Sequence, residues 1–173
     1  MQVEDLRNAI RDIPDFPKEG ILFKDITPVL QDAALFSYAM DLFEGELRDK
    51  GITKVAAVDA RGFFFGGVLS DRMNIGLVPI RKGGKLPYRT LEESYDLEYG
   101  SATLAVHEDA FEAGDRVVLI DDLLATGGTA GASVRLIERG GAEVVQIQFL
   151  VELAFLKGRE LLKGYDVYAP IVF

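Results

Sequence analysis

Two adjacent carboxylates, Asp121 and Asp122, follow the apolar run Val117-Val118-Leu119-Ile120 and precede, after Leu123 and Leu124, the turn Ala125-Thr126-Gly127-Gly128-Thr129. Four apolar residues, three of them β-branched, read as a strand buried on both faces of a parallel sheet. The carboxylates then fall at its carboxyl end, where open α/β sheets take their ligands. The turn carries no bulky side chain, so its N–H groups and two hydroxyls can come close to a ligand. A helix starting near Gly128 and Thr129 and running through Ala132, Leu136 and Ile137 would add its dipole and free N–H groups, which favour an anion. Sugar hydroxyls on the carboxylates and a phosphate on the turn is the chemistry this spacing suits. The alternative is an ordinary strand, turn and helix in which Asp and Thr serve as caps. A Walker A loop is excluded because no lysine sits in the turn, and G-x-G-x-x-G is absent as well.

Two further strand-like runs give onto turns that could hold a ligand, one through an aspartate and one through cations. The first gives onto Val58-Asp59-Ala60-Arg61-Gly62-Phe63, which taken alone is a plain capped turn. The second gives onto Arg81-Lys82-Gly83-Gly84-Lys85-Leu86-Pro87. A formal net charge of −9 argues against broad binding to nucleic acid or anionic membranes. An anionic ligand therefore needs cations concentrated locally; Arg81, Lys82 and Lys85 supply them, unless they form only a solvated turn. The chain has no cysteine, which rules out disulfides and thiolate chemistry and fits a reducing compartment. The single His107 excludes multi-histidine metal centres, and without a G-x-S-x-G elbow it reads as solvated or structural.

Residues 117–129 resemble the signature of the phosphoribosyltransferases: an apolar strand ending in two acidic residues, then a small-residue loop ending in T-G-G-T. The resemblance implies that Asp121 and Asp122 hold the ribose hydroxyls of phosphoribosyl pyrophosphate (PRPP), while Ala125, Thr126, Gly127, Gly128 and Thr129 cradle its 5-phosphate. It assigns Asp59, Ala60 and Arg61 to pyrophosphate through backbone amides, often with a cis peptide where Asp59-Ala60 stands here. It gives Arg81, Lys82 and Lys85 the pyrophosphate end too, and implies a homodimer, because the equivalent arginine often crosses a dimer interface.

Two segments are similar to the adenine branch of that family. Pro14-Asp15-Phe16-Pro17-Lys18-Glu19-Gly20-Ile21-Leu22-Phe23-Lys24-Asp25-Ile26-Thr27-Pro28 matches its hood. There the main chain at Leu22 and Lys24 would read the adenine edge, with Phe23 stacked on the ring opposite Leu123. A 6-oxopurine reverses the donor and acceptor pattern and leaves polar groups unpaired. Without the resemblance this arm is a hydrophobic segment packed on the core. Ser94-Tyr95-Asp96-Leu97-Glu98-Tyr99-Gly100 is similar to the branch's lid. The resemblance places Tyr95 in that lid, gives Glu98 proton handling on adenine and has Tyr99 seal the site. As a bare feature Glu98 is a solvated carboxylate, and lid closure would have to raise its pKa from about 4.3 for it to act as a base. Val151-Glu152-Leu153 and Lys157-Gly158-Arg159-Glu160 are also typical of the branch, whereas Tyr88-Arg89 and residues 102–106 depart from it.

The implied reaction is purine salvage, adenine and PRPP giving AMP and pyrophosphate with anomeric inversion, assisted by Mg²⁺ bound mainly through PRPP and water. Catalysis would rest on Glu98, Asp121, Asp122 and Arg81. Competing readings are an oxopurine phosphoribosyltransferase, a PRPP- or AMP-binding regulator without turnover, and a nucleotide-binding structural protein.

These residues need a scaffold. At 173 residues and 49% hydrophobic content the chain can bury one core, so residues 1–173 are expected to form a single domain, with a hood at 1–30 and a mobile lid at 82–107. Leu6 and Ile10 suggest a helix over 3–11, followed by an irregular segment. Asp32 is placed to cap a helix carrying Phe36, Met40, Phe43 and Leu47 as one apolar stripe. Strand-like runs at 54–58, 77–81, 104–106, 117–121, 144–151 and 167–172, separated by helix-length segments, predict an α/β fold: a twisted, mostly parallel central sheet with helices on both faces. Residues 82–101 lack helix signals, and a loop of that length is expected to be a lid. With no apolar leader and no run of bilayer length, the expected location is cytoplasmic.

Overall fold

The computed structural model of the protein describes residues 1–96 and 100–173. In chain order its elements are α1 (Val3–Ala9), β1 (Arg11–Pro14), β2 (Leu22–Asp25), α2 (Thr27–Gln31), α3 (Ala33–Glu46), β3 (Lys54–Val58), α4 (Gly62–Met73), β4 (Gly76–Lys82), β5 (Thr90–Asp96), β6 (Ser101–His107), β7 (Arg116–Leu124), α5 (Gly128–Arg139), β8 (Glu143–Glu152), β9 (Val167–Tyr168) and β10 (Ile171–Val172). Two 3₁₀ turns, Ala154–Leu156 and Gly158–Leu162, follow β8 among the described residues.

The main sheet runs β10-β8-β7-β3-β4-β6-β5, with β9 also paired to β8. Pairing is parallel from β10 through β4 and antiparallel from β4 to β6 and β5, so the sheet is mostly parallel, as the sequence predicts. Its central strands are buried on both faces because their apolar residues alternate between two cores. Ala56, Val58, Val117 and Leu119 pack with Leu136 and Ile137 of α5 on one side. Val55, Ala57, Val118 and Ile120 pack with Leu6, Met40, Phe43, Phe65 and Leu69 of α1, α3 and α4 on the other. Each such fully buried aliphatic or aromatic side chain contributes about 1.5–3 kcal/mol. Asp32 caps α3, its carboxylate accepting from the N–H groups of Ala34 and Leu35 at 2.9 and 3.0 Å, an arrangement that contributes about 1 kcal/mol. Met40, Phe43 and Leu47 of the predicted stripe are buried, and Phe36 packs against them.

Three expectations are corrected. The first helix ends at Ala9 rather than 11, and the segment taken as irregular contains β1, which pairs antiparallel with β2. That hairpin is short, largely exposed and polar, so it carries no alternation to read. Residues 82–101 are not one loop: β5 and β6 pair from Thr90↔His107 to Asp96↔Ser101 and extend the sheet edge. The run 167–172 is split into β9 and β10, each parallel to β8, around Ala169-Pro170. Among the described residues no helix is long and apolar enough to cross a membrane.

Candidate active site

The carboxyl ends of β3 and β7 lie side by side, and each gives onto a turn that opens a helix. β7 continues through Leu124, so Asp121 and Asp122 lie within the last turns of the strand rather than beyond it. Asp122, 7% exposed, pairs with the Arg61 guanidinium, which is the start of α4 and itself half-exposed. Asp121 is partly accessible as a residue, yet its carboxyl sits deep among protein atoms, Oδ1 accepting from the Asp122 N–H at 2.8 Å. Burial pushes that carboxyl well above the ordinary carboxylate range, and the neighbouring Asp122 pushes it the same way.

Two adjoining cavities open here. One, about 310 Å³, is lined by Val58, Asp59, Ala60, Arg61, Asp121, Asp122, Leu123 and Thr129. The other, about 80 Å³, is lined by Asp121, Leu123, residues 124–130 and Phe149. They share Asp121, Leu123 and Thr129. The smaller has the dimensions of a phosphate-sized group and the larger those of a sugar with further oxygens. α5 begins at Gly128 without a side-chain cap from Gly127. The N–H groups of its first turn have no intrahelical acceptor, and the residues that carry them, Gly128, Thr129 and Ala130, line the small cavity at the positive end of the helix dipole.

The turn after β3 is tied by charge to the end of β4 as well. Asp59–Ala60 is a cis peptide, as is Phe16–Pro17. The Asp59 carboxylate accepts from Arg81 Nε at 2.8 Å, and Arg81 also donates to the Lys85 carbonyl at 3.2 Å. Arg81 is thus held against the cavity-lining Asp59, but neither it nor the exposed Lys82 and Lys85 lines either cavity.

The β1–β2 hairpin stands over this cleft. The Phe23 ring packs edge-on against Phe16 at 5.2 Å, and the Arg61 guanidinium lies 5.7 Å from the Phe23 centroid. Arg61 therefore joins the hairpin to Asp122. Leu22 is exposed, and Lys24 pairs with Asp12 at 2.6 Å and lies 3.8 Å from the Phe173 centroid. The Thr27 hydroxyl and N–H both donate to Asp25 at the end of β2, holding its carboxyl below the usual range. The Tyr95 hydroxyl lies 3.0 Å from Oγ1 of Thr129, a residue that lines both cavities. Glu98 and Tyr99 lie outside the described residues.

Sequence reading gave no role to several residues that hold this site together. Gly158 packs against the turn at Ala125 and Gly127 so closely that neither glycine has room for a Cβ. Arg159 donates to both oxygens of the buried Glu152 carboxylate at 2.9 and 2.8 Å, pinning the 3₁₀ turn to the end of β8. Glu93 of β5 accepts from Arg135 at 2.5 Å and Arg139 at 2.9 Å on α5. The Lys157-Gly158-Arg159-Glu160 motif was the available signal for the first two.

With this geometry in place, residues 28–167 match the family described as phosphoribosyl transferase domain. An adenine phosphoribosyltransferase of Christiangramia forsetii is 52% identical over 169 residues, covering 98% of this chain and 99% of the relative. The crystal structure of adenine phosphoribosyltransferase from Thermoanaerobacter pseudethanolicus superposes with a TM-score of 0.96 at 51% identity, over 99% of this chain and 100% of that one. The Saccharomyces cerevisiae enzyme, solved with an imino-altritol bisphosphate and adenine, gives 0.93 at 37% identity over 97% of each chain.

Proposed function

Because the chain belongs to the phosphoribosyltransferase family, in its adenine branch, we propose that it transfers the 5-phosphoribosyl group of PRPP to N9 of adenine, forming AMP and pyrophosphate in purine salvage. The observation that carries this reading is the pair of cavities sharing Asp121 and Thr129 at the carboxyl ends of β3 and β7. The relatives named above are adenine enzymes, which disfavours the oxopurine and regulator alternatives.

In this reading Ala125, Thr126, Gly127, Gly128 and Thr129 cradle the 5-phosphate in the small cavity. The ribose hydroxyls lie on Asp121 and Asp122. Asp59, Ala60 and Arg61 take the pyrophosphate at the start of α4, with Arg81, Lys82 and Lys85 adding positive charge around it. The main chain of Leu22 and Lys24 pairs with the adenine edge, and the base lies between Phe23 and Leu123. Displacement at the ribose C1 develops oxocarbenium character. Positive charge grows near the two carboxyls as the C1–O bond to pyrophosphate breaks and the C1–N9 bond forms on the opposite face. Glu98 receives the N9 proton, and Tyr95 and Tyr99 help exclude water.

Among the described residues no cluster of three or more metal-ligating side chains is present. The carboxylates lining the larger cavity, Asp59, Asp121 and Asp122, are hard oxygen donors of the kind that suit a Mg²⁺ ion held mainly by PRPP and water. Bound there, the ion would neutralise charge on the departing pyrophosphate. Residues 1–173 act as one catalytic unit in the cytoplasm, with 1–30 as hood and 82–107 as lid. A homodimer is part of this reading, on the family resemblance of Arg81 alone.

The test is magnesium-dependent release of pyrophosphate from PRPP, run with adenine, hypoxanthine, guanine and no base. Release with adenine alone is expected; release with an oxopurine would overturn the base assignment, and silence with every base would overturn the enzyme.

A further inference from the structure

We propose that Tyr95 is a positioning residue for the 5-phosphate of the sugar substrate, acting through the hydroxyl of Thr129. This rests on the reading of residues 125–129 as the phosphate cradle. β5 leans across the first turn of α5, where the Tyr95 hydroxyl lies 3.0 Å from Thr129 Oγ1. Its ring covers Gly128 so closely that a Cβ there would stand 3.0 Å from Tyr95 Cδ2. Gly128 is therefore what lets a tyrosine of the sheet edge reach the cradle.

Tyr95 is held in that place from two sides. Its ring packs against the core under α5. Two residues earlier on the same face of β5, Glu93 accepts from Arg135 and Arg139, and Arg139 also donates to the Glu92 carbonyl at 2.8 Å. Both arginines belong to α5, the helix whose first turn carries Thr129. Strand and helix are thus fixed relative to each other by charge at one end and by the two hydroxyls at the other.

A threonine hydroxyl has one proton and can turn it in several directions. If Thr129 donates to Tyr95, the proton is lost to an incoming anion. If Tyr95 donates to Thr129 Oγ1, the Thr129 proton is free to point into the small cavity, toward a phosphate oxygen. An anion there selects the second arrangement, since a hydroxyl donating to an anion is a better acceptor for its neighbour. The tyrosine then acts as the outer donor of a two-hydroxyl relay ending on the 5-phosphate. It never touches the reacting carbon, so its effect falls on affinity for the phosphorylated sugar rather than on the base.

The experiment measures the dissociation constant of ribose 5-phosphate by calorimetry, and the KM values of PRPP and adenine, for wild type, Tyr95→Phe, Thr129→Val and the double variant. Tyr95→Phe keeps the ring and removes only the relay donor. It is expected to weaken ribose 5-phosphate and raise the PRPP KM by about two- to tenfold, the worth of one hydrogen bond, with adenine KM unchanged. The double variant is expected to bind no more weakly than Thr129→Val alone. If Thr129→Val weakens ribose 5-phosphate while Tyr95→Phe does not, or if the two losses add, the relay is overturned and the cradle stands. If Tyr95→Phe raises both KM values alike, its role is general packing and the proposal fails. If Thr129→Val leaves ribose 5-phosphate binding intact, the assignment of Thr129 to the cradle falls and the relay with it.

Discussion

Replacing Gly127 by alanine should damage both the fold and the affinity for PRPP, by an amount that follows from the backbone. Gly127 has φ +86°, and a Cβ there would collide with the carbonyl oxygen of Gly158 and lie 3.2 Å from its carbonyl carbon. The left-handed conformation costs a side-chain-bearing residue about 1–2 kcal/mol. Forcing a methyl group against packed atoms costs about 1–3 kcal/mol more, and here the obstacle is main chain that cannot rotate aside. The total, about 2–5 kcal/mol, corresponds to a fall of roughly 4–20 °C in melting temperature for a domain of this size. Any relief must come from moving the turn off Gly158, which displaces the N–H groups facing the small cavity and raises the PRPP KM. Gly45 is the control, because in α3 its missing Cβ faces open space. Gly45→Ala should be neutral or stabilising by up to about 1 kcal/mol. Differential scanning calorimetry and steady-state kinetics on both variants decide the matter. A Gly127→Ala protein that melts with wild type and keeps its PRPP KM would refute the close-approach account of the turn.

Asp121, Asp122 and Arg159 give sharper contrasts between stability and activity. The folded pKa of Asp121 lies above its unfolded value of about 3.9, so the folded state binds this proton more tightly. Its contribution to stability is complete below that unfolded value and is lost as pH rises through the raised folded one. Asp121→Asn removes the loss: its melting-temperature advantage over wild type should grow as pH rises above the unfolded value of about 3.9 while turnover falls, and an advantage that shrinks with rising pH would contradict the buried-carboxyl account. Asp122→Asn should keep the fold and lower turnover by up to about a hundredfold, since a carboxylate about 5 Å from developing charge at an effective dielectric near 20 is worth at most roughly 3 kcal/mol; unchanged kinetics would remove Asp122 from the mechanism. Arg159→Ala leaves the buried Glu152 carboxylate without its partner and should cost about 3–5 kcal/mol in chemical denaturation. Adding Glu152→Gln should restore part of that loss, and no recovery would assign the effect to packing of the arginine stem instead.

The elements that bury apolar residues on both faces were legible, because Val117, Val118, Leu119 and Ile120 admit few other uses. The turn at 125–129 and the start of α5 were legible for a related reason: small residues followed by an apolar stripe mark a strand-to-helix turn. β5 was hidden because its inward row reads Leu91, Glu93, Tyr95, and the carboxylate faces Arg135 and Arg139 rather than an apolar layer. A hydrophobic alternation cannot reveal a strand whose inner face is ionic. The pairings of Arg61 with Asp122 and Arg81 with Asp59 were equally hidden, since they join residues brought together only by the β7-β3-β4 order. The role of Gly158 depends on a backbone contact between segments more than thirty residues apart, which composition and periodicity do not encode.

The most direct test of the central claim is a crystal structure of the protein with AMP bound. The account predicts the 5-phosphate on the N–H groups of the turn at 125–129, the ribose hydroxyls on Asp121 and Asp122, and the adenine beneath Phe23 with its edge against the β2 main chain. A phosphate seated away from the first turn of α5, or a base that leaves the β1–β2 hairpin untouched, would contradict it.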